Sequence, residues 1–376
     1  MGSLGRLRAR DRAVKIGLIG CGYIAEQVHL PVWKGVAEAK IVCCVDVVEE
    51  KANSLAKEFG IESVYTDIQA MLDSQQVDLV DICTPPHTHT RVLEKLLARG
   101  INCIVEKPLT LKYDEAKSLV SLAESTGARL YVVHNYSFVP AVRYIKHLIS
   151  QGKLGEIKMV DTRYFTPLQK ERYFSPDHWI HALPGGVLST EPAPHLFMLV
   201  IEQIGVPVNV NFSFSKVTDL SYIPYDEMYC SLVSERGQVA HVALSFNSTI
   251  PLHTFDIIGT KGIVTADLFT QAVVYHPFPQ FMATDLITRD KWTRGNWALS
   301  DIYQRAKSLI GVSLRVASGR YQMMKEGHRY LFNQCIANLL FDREYPVRIS
   351  DALQVVKIIE MMGKSASVSD SIYPAY

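Results

Sequence analysis

The pattern in this sequence best suited to chemistry is a charged pair, Glu106 and Lys107, which follows the apolar run INCIV and precedes Pro108. A lysine ammonium at such a position can donate a hydrogen bond to a substrate oxygen and stabilise the negative charge that develops there during hydride transfer. Glu106 would fix the lysine or contact the ribose beside a nicotinamide. A lysine after a strand is also common as a plain surface residue, so the surrounding motifs decide between these interpretations.

A second pattern, GLIGCGYIA, places Gly20, Gly22 and Ala25 in a G-x-G-x-x-A arrangement between a predicted strand and a predicted helix. Gly20 permits the tight turn, Gly22 lets a pyrophosphate approach the backbone, and Ala25 allows the helix to pack closely on the sheet. The amides at the start of the helix would hold the phosphates, with Tyr23 and Ile24 beside them. Many strand-to-helix turns need glycine for other reasons, so the motif alone is weak.

Asp46 ends the next predicted strand, about 20 residues after the glycines, where dinucleotide-binding folds carry a ribose-binding carboxylate. A carboxylate accepts hydrogen bonds from the ribose hydroxyls and repels a 2′-phosphate, and the following VVEE contains no arginine to attract one. NAD is therefore expected as the cofactor, in preference to NADP. The alternative is that Asp46 only caps the helix that follows it.

The elements that must position these residues are short apolar runs alternating with amphipathic segments of helical period, from residue 14 to about residue 150. That alternation predicts parallel strands with helices on both faces of the sheet. In such a sheet, ligands bind outside the carboxyl ends of the strands. Five predicted loops end there and should converge on one crevice, at Gly20–Gly22, Asp46, Thr84–Pro85, Glu106–Lys107–Pro108 and Asn135.

After Gly155 the sequence changes to strand-like segments separated by Gly or Asn turns, with one helical segment, VLSTEPAPHLFMLVIEQIG. This pattern predicts a mostly antiparallel sheet with a helix against it. Residues 275–321 fit neither pattern, and their aromatic and arginine residues suit a subunit interface, a lid or contact with an anionic substrate. From about residue 322 the period is helical again.

Four motifs occur together in this sequence: Gly20-x-Gly22-x-x-Ala25, Thr84-Pro85 with His89, Glu106-Lys107-Pro108, and a later predicted helix with His195. In this combination the sequence resembles the Gfo/Idh/MocA family, the glucose–fructose oxidoreductase and inositol dehydrogenase group. The resemblance implies an α/β protein with an N-terminal Rossmann domain, a doubly wound parallel sheet. It also implies a C-terminal α+β domain whose mostly antiparallel, open sheet often forms an oligomer interface.

Members of this family oxidise or reduce sugars, cyclitols or their nucleotide-linked forms with NAD(P). With the resemblance added to the motifs, the expected cofactor-binding residues are Gly20, Gly22, Tyr23, Ile24, Asp46, Thr84, Pro85, His89, Glu106, Lys107 and Asn135. The expected catalytic residues are Lys107, His195 and Glu191.

Glu191 and His195 lie in PGGVLSTEPAPH, which is similar to the family's glycine-rich entry into a helix bearing an aspartate and, four residues later, a histidine. In a helix, residues i and i+4 share a face. His195 would act as general base, since imidazole exchanges protons near neutral pH, and Glu191 would orient it or bind a second hydroxyl. The alternative is a structural histidine near a helix start. Other histidines, such as His134 and His147, are expected to be packing or surface residues.

Several positions depart from the family pattern, and together they alter the polar lining expected for the substrate pocket. The departures are Val187 in the glycine run, Glu191 for aspartate, Pro194, Met198 and the pair Trp179-Ile180. Because of these departures, the sequence does not identify the substrate. None of the departures lies in the cofactor-binding motif.

Composition excludes several classes of protein. Lys and Arg number 39 against 38 Asp and Glu, so a net charge of +1 provides no general attraction to nucleic acid or anionic lipid. No apolar run reaches the ~18–20 residues that a membrane span requires, and the N-terminus has no apolar signal core. The seven cysteines contain no CxxC pair, which indicates reduced thiols in a cytoplasmic protein, and no metal site is expected.

The predicted organisation is a flexible tail at 1–13, an NAD-binding domain at 14–135, and a substrate and oligomerisation domain at 136–376. Whether the final helices pack back on the first domain is left open. The predicted function is NAD-dependent hydride transfer at a CH–OH or keto carbon of a sugar, cyclitol or nucleotide-linked sugar, by a homodimer or homotetramer formed through the C-terminal sheet. Two alternatives stay open: a non-catalytic dinucleotide-sensing regulatory protein, and a glycoside-processing enzyme that recycles NAD within each turnover.

Overall fold

The computed structural model describes residues 13–167, 175–278 and 323–372. The tail before residue 13 and most of the 275–321 segment lie outside the described residues. The described chain divides into two compact units. The first comprises the residues up to Phe138 together with Met324–Glu360, and the second comprises Val139 to Met323 and the residues from Met361 onward.

The first unit is built on a six-stranded sheet with the order β3-β2-β1-β4-β5-β6, in which every pairing is parallel. The strands are β1 (Val14–Ile19), β2 (Ala39–Val45), β3 (Ser63–Tyr65), β4 (Leu79–Ile82), β5 (Asn102–Glu106) and β6 (Leu130–Val133). The strand order reverses between β1 and β4. The carboxyl ends of these two strands therefore form the switch point at which such sheets open a ligand crevice.

Helices connect these strands. They are a π-helical turn (Ala25–His29) continued by α1 (Leu30–Trp33), then α2 (Glu49–Phe59), α3 (Ile68–Ser74), α4 (Pro86–Leu97), α5 (Tyr113–Thr126) and a 3-10 helix (Asn135–Phe138). Gly60 and Gly127 end α2 and α5 at φ values of 69° and 73°, a left-handed conformation in which a Cβ is disfavoured. Asp67 caps α3 by accepting the Ala70 amide at 3.0 Å.

The core of the first unit is built from strands that are apolar on both faces. Ile16, Leu18, Leu79, Ile82 and Ile104 are all fully buried. Each such side chain contributes about 1.5–3 kcal/mol relative to exposure. Strands without polar alternation are what a sheet covered on both faces requires.

The second unit contains a seven-stranded sheet with the order β13-β12-β11-β7-β10-β9-β8. Its strands are β7 (Ile157–Pro167), β8 (Pro207–Ser215), β9 (Glu227–Ser234), β10 (Val239–Ser245), β11 (Asn247–Gly259), β12 (Gly262–Asp267) and β13 (Ala272–Pro277). Only β7 and β10 pair in parallel, and the remaining pairs are antiparallel.

Helices cover one face of this sheet, and burial alternates along its strands. The second unit contains α6 (Pro140–Ser150), a 3-10 helix (Trp179–Ala182), α7 (Gly186–Thr190) and α8 (Pro192–Ile204). The α8 helix packs on β7 and β10, and α6 contacts β12 and β13. Along β9, Met228, Cys230 and Leu232 are buried, whereas Tyr229 is 46% exposed. The period of two separates a covered face from an open one.

The last two helices described are α9 (Met323–Phe341) and α10 (Ile349–Ile372). Nearly all of α9 and the first half of α10 belong to the first unit, and α10 continues into the second. In the first unit, Arg129 contacts the Asn338 carbonyl and pairs with Asp342 at 2.7 Å, which fastens the end of α9 beside β6.

All seven cysteine side chains are buried and free. Among the described residues, no helix is both long and apolar enough to cross a membrane.

The Asp226 carboxylate organises the turn between β8 and β9. It is fully buried and accepts the amides of Val217 and Thr218 at 2.8 and 2.7 Å. Burial alone would raise its pKa, but the hydrogen bonds from Thr218 and Val217 outweigh burial and lower it.

Replacing Asp226 with asparagine should lower the free energy of unfolding of the second unit by about 1–3 kcal/mol at pH 7, since an amide NH₂ would face a backbone donor. Because the folded pKa is depressed, this contribution is present above the unfolded pKa and is lost as pH falls through the folded pKa. Urea unfolding of Asp226→Asn at several pH values measures both effects. The exposed Asp219→Asn is the matched control, and an equal loss in that variant would contradict the assignment.

Candidate active site

The glycine loop follows β1 directly and fits closely against the end of β4. Gly20 has φ +95°, and a Cβ there would lie 2.8 Å from the Cys83 carbonyl carbon and 2.9 Å from the Thr84 methyl carbon. At Gly22, by contrast, a Cβ would meet nothing within 4 Å. Gly20 is therefore required by the protein itself, whereas Gly22 leaves room for the backbone approach of another molecule.

The segment after Gly22 is helical, as predicted, but its first turn is a π-helix, Ala25–His29, which α1 continues. Ala25 is fully buried, and its small side chain allows the close packing that the motif predicts. Tyr23 is 57% exposed and Ile24 half-buried, at the mouth of the loop. Single π-helical turns are frequent at functional sites.

Asp46 joins the glycine loop to the end of β2. Its Oδ2 accepts the Cys21 amide at 2.8 Å, and its Oδ1 accepts the Val48 amide at 2.9 Å. Each carboxylate oxygen has two acceptor sites, so this half-buried carboxylate keeps capacity for ribose hydroxyls. Val48 is the N-cap of α2, so the Asp46 carboxylate also holds the residue at which that helix begins, whereas ribose binding by Asp46 stays a prediction.

His89 links the Thr84–Pro85 loop to the turn after β5. Its Nε2 lies 2.8 Å from the Thr84 carbonyl oxygen, and its Nδ1 lies 3.1 and 3.2 Å from those of Pro108 and Leu109. The ring is fully buried, and burial lowers its pKa despite the carbonyls around it. The predicted cofactor-binding His89 thus makes backbone contacts that hold two loops of the crevice together.

Thr84 and Pro85 open the first turn of α4. Thr88 Oγ1 lies 2.8 Å from both Thr84 Oγ1 and the Pro85 carbonyl oxygen. Pro85 precedes Pro86, the first residue of α4, where a missing N–H costs nothing because first-turn amides have no acceptor within the helix. This loop is therefore rigid where it meets Gly20.

Lys107 is half-buried at the end of β5, and its peptide bond to Pro108 is cis. The Glu106 side chain folds back so that its Oε2 accepts the Lys107 amide at 3.1 Å. The other oxygen, Oε1, lies 2.9 Å from His29 Nε2 and 3.4 Å from His328 Nε2. The charged pair thus divides into a lysine beside the crevice and a glutamate that faces the interior.

The sequence patterns do not predict the partners of Glu106, His29 and His328, or the contact of His29 with Asp81. Burial would raise the pKa of Glu106, but hydrogen bonds from His29 and His328 outweigh it and hold the pKa well below its usual range. One signal was visible: Asp81 interrupts the apolar strand LVDI, and a charge inside a covered strand requires a buried partner.

The end of β6 adds two buried polar residues. Asn135 begins the 3-10 helix and is only 2% exposed, and Gly327 of α9 packs directly on its backbone. His134, expected to be a packing or surface residue, is buried, and burial lowers its pKa to about 3. His134 is therefore neutral at physiological pH, with Glu106 and Lys107 near enough to affect it.

In the second unit, Glu191 and His195 lie where two helices meet. Glu191 ends α7 and is the N-cap of α8, with φ −105° and ψ −74°, and His195 is the fourth residue of α8. Pro192 and Pro194 fall in the first turn of α8, where prolines are tolerated because the amides have no helical acceptor. Both predicted catalytic side chains are half-buried.

Within the first unit, the predicted residues meet at one edge of the sheet. Gly20 lies so near Cys83 and Thr84 that a Cβ would clash with them, Asp46 accepts the Cys21 amide, and His89 contacts the carbonyls of Thr84 and Pro108. The residues present fit a dinucleotide, since space is left open at Gly22 and acceptor capacity remains on Asp46.

Two family models match this chain. The Gfo/Idh/MocA oxidoreductase family model, with an NAD-binding Rossmann fold, matches residues 14–134, and the Gfo/Idh/MocA C-terminal domain matches residues 142–265. Together the two matches cover more than half of the sequence. The chain belongs to the Gfo/Idh/MocA family.

Relatives of known name are similar over different shares of their length. D-apiose dehydrogenase of Paraburkholderia graminis is 33% identical over 141 residues, which are 38% of this chain and 37% of that enzyme. Inositol 2-dehydrogenase of Rhizobium meliloti is 27% identical over 259 residues, which are 68% of this chain and 76% of that enzyme. The chain thus spans little more than a third of the first relative, so activity and substrate do not transfer with the similarity.

Solved structures share the whole fold. The WlbA dehydrogenase from Bordetella pertussis, in complex with NADH and UDP-GlcNAcA, has a TM-score of 0.75 at 20% identity, over 96% of this chain and 97% of that one. At this identity the likeness concerns the fold alone. With the family match, it confirms the predicted Gfo/Idh/MocA membership and the predicted fold class, and the family match confirms NAD as the cofactor.

The two glycines should respond differently to substitution. Gly22→Ala should leave the midpoint of thermal unfolding unchanged and weaken NADH binding at least tenfold, about 1.4 kcal/mol, because the methyl group takes the space left for the cofactor. Gly20→Ala should destabilise the fold by about 1–3 kcal/mol, since φ is positive and the Cβ meets backbone. Calorimetry and NADH fluorescence titration separate the effects, and loss of stability in Gly22→Ala would contradict this reading.

The charge of Asp46 should set cofactor preference. Asp46→Asn keeps an acceptor for the Cys21 amide but removes the repulsion of a 2′-phosphate, so the ratio of NADH to NADPH affinity should fall about tenfold. Fluorescence titration with both cofactors measures the ratio. Glu58→Gln, an exposed acid near the far end of α2, is the matched control and should leave the ratio unchanged.

Proposed function

We propose that this protein is an NAD-dependent oxidoreductase that moves hydride between the nicotinamide and a hydroxyl or keto carbon of a sugar, a cyclitol or a nucleotide-linked sugar. The observation that carries the proposal is the glycine loop, open at Gly22 and tied to Asp46, in a chain of an oxidoreductase family. Apiose and inositol dehydrogenases among the relatives support the substrate class.

Three side chains have roles in the proposed chemistry. Bound NAD would supply the hydride acceptor. In the oxidation direction Lys107 would donate a hydrogen bond to the substrate oxygen and stabilise the alkoxide that forms there. His195 would take the hydroxyl proton, and Glu191 would orient that ring or bind a second hydroxyl. The half-buried setting of all three side chains supports these roles.

The acidic surroundings of the ribose position support NAD over NADP. Val47 and Val48 are exposed beside Asp46, and Glu49 and Glu50 follow at the start of α2. These carboxylates would repel a 2′-phosphate, and the segment contains no arginine to bind one.

The remaining proposals concern organisation. We infer a cofactor domain at 14–135 and a substrate domain from residue 136, and a homodimer or homotetramer formed through the open face of the second sheet. Half-buried apolar residues on that face, such as Val233, Val239 and Ile258, support the interface. The seven free, buried cysteines support a cytoplasmic location.

Removing either catalytic group should lower turnover and spare the cofactor. Lys107→Met should reduce kcat roughly 100-fold to 1000-fold, and His195→Asn roughly 100-fold or more, with the Kd for NADH nearly unchanged. The measurement is absorbance of NADH formed from a panel of sugars and cyclitols. Lys112→Met and His147→Asn, both at exposed positions, are the matched controls.

The outcome also separates the alternatives. Unchanged kcat in Lys107→Met would remove the lysine from the mechanism. Tight NADH binding by the wild type without turnover of any polyol would favour a dinucleotide sensor. Cofactor that copurifies and never exchanges would favour NAD-recycling glycoside processing.

A further inference from the structure

A buried polar network, composed of His29, Asp81, Glu106 and His328, lies inside the first unit, and neither the predicted chemistry nor the family motifs use three of its members. The residues come from the π-helical turn, β4, β5 and α9 respectively. All four are buried, and His29 and Asp81 are completely so. Ionisable groups are costly to bury unless they are paired, so the network calls for a reason.

The contacts of His29 fix its protonation. Its Nδ1 lies 3.0 and 2.9 Å from the two Asp81 oxygens, and its Nε2 lies 2.9 Å from Glu106 Oε1. Ionised carboxylates only accept hydrogen bonds, so both ring nitrogens must carry hydrogen and His29 is an imidazolium. Burial acts to lower its pKa, but the charge of Asp81 and the hydrogen bonds with Asp81 and Cys83 outweigh burial and raise it.

Surrounding side chains prevent His29 and Asp81 from turning away. Trp33 Nε1 donates to Asp81 Oδ2 at 2.7 Å, and Cys83 Sγ lies 3.2 Å from His29 Nδ1. Phe332 stacks on Trp33 at a centroid distance of 4.1 Å and meets the edge of the His29 ring at 5.0 Å. The imidazolium therefore has one orientation, which points Nε2 at Glu106.

Glu106 has both oxygens engaged as a result. Oε1 faces His29 and His328, and Oε2 accepts the backbone amide of Lys107. The carboxylate is held by charge-assisted hydrogen bonds, which are stronger than neutral ones, and its side chain is only 11% exposed. The chain of contacts runs from Asp81 through His29 and Glu106 to the backbone of Lys107.

We propose that His29, Asp81 and His328 are positioning residues for Lys107: they hold the Glu106 carboxylate inside the first unit, where it anchors the Lys107 backbone and makes no contact with cofactor or substrate. The catalytic role of Lys107 rests on the proposed function. The anchoring of the Lys107 backbone by the network does not depend on that function.

A metal ion is the competing occupant, because His29, Glu106 and His328 offer ligand atoms within 4.8 Å of one another. Two observations favour the hydrogen-bonded network. A separation of 2.9 Å between His29 Nε2 and Glu106 Oε1 is a hydrogen-bond length, and the opposite nitrogen already donates to Asp81. Metal analysis of the purified protein is therefore included in the test.

Three variants test the proposal. His29→Gln places an amide N–H near the Nε2 position and keeps the bond to Glu106, whereas His29→Asn reaches only toward Asp81. Glu106→Gln keeps the shape of the side chain and removes its charge. Glu360→Gln is the matched control, since Glu360 accepts the Tyr113 amide at 2.8 Å in the same unit, away from Lys107.

The first measurement is hydrogen exchange at the Lys107 amide, which needs neither cofactor nor substrate. In His29→Asn and Glu106→Gln, exchange at Lys107 should accelerate about tenfold, equivalent to about 1.4 kcal/mol in the local opening equilibrium. His29→Gln should stay near the wild type. Glu360→Gln should accelerate exchange at Tyr113 and leave Lys107 unchanged.

The second measurement separates kcat from cofactor affinity. His29→Asn and Glu106→Gln should lower kcat about tenfold with the Kd for NADH within about twofold, and His29→Gln should restore kcat. If the wild type turns over no polyol, the proposed function fails, yet exchange and NADH affinity still decide the placement of Glu106.

Three results would overturn the proposal. Equal loss of thermal stability in all three variants, with unchanged exchange at Lys107, would make the network merely structural. Weaker NADH binding in Glu106→Gln, in proportion to any loss of kcat, would put Glu106 on the cofactor. Stoichiometric metal in the wild type that is absent from His29→Asn would make the cluster a metal site.

Discussion

The close approach of Gly20 to the backbone of Cys83 constrains the loops that follow β1 and β4. β1 and β4 are neighbours at the point where the strand order reverses, and their following loops pass so close that a Cβ would lie 2.8 Å from backbone. The glycine that permits this contact leaves the next glycine facing open space. Glycine at position 20 thus lets the loops after β1 and β4 lie close together, while the space beside Gly22 stays open.

Buried charge is the second organising feature of the first unit. Asp81 and Glu106 are buried in β4 and β5, and each has both oxygens bound by protein donors. Asp46 is only half-buried after β2, and its two oxygens accept the amides of Cys21 and Val48. An unpaired buried carboxylate would be strongly destabilising, so these pairings hold the loops in one arrangement. The polar groups of this unit therefore restrict motion at the edge where the proposed chemistry takes place.

The sheet of the second unit is packed differently from that of the first. Its sheet is covered by helices on one face only, so burial alternates along each strand and leaves apolar side chains on the open face. Its candidate catalytic helix begins with Pro192 and Pro194, and the break at Glu191 divides the predicted single helix into α7 and α8. The prolines restrict where this helix begins, because they fit only its first turn.

Local sequence determined the fold class, the alternation of elements, the glycine loop and the positions of Asp46 and Lys107, because strand period, turn glycines and strand-end charges are properties of neighbouring residues. It also left open where the final helices belong. Only the tertiary structure decided that α9 brings His328 to Glu106, that His29 lies between two carboxylates, and that Glu106 turns inward. These contacts join residues 52 to 222 positions apart, and which side chain pairs with which depends on three-dimensional packing that no local pattern encodes.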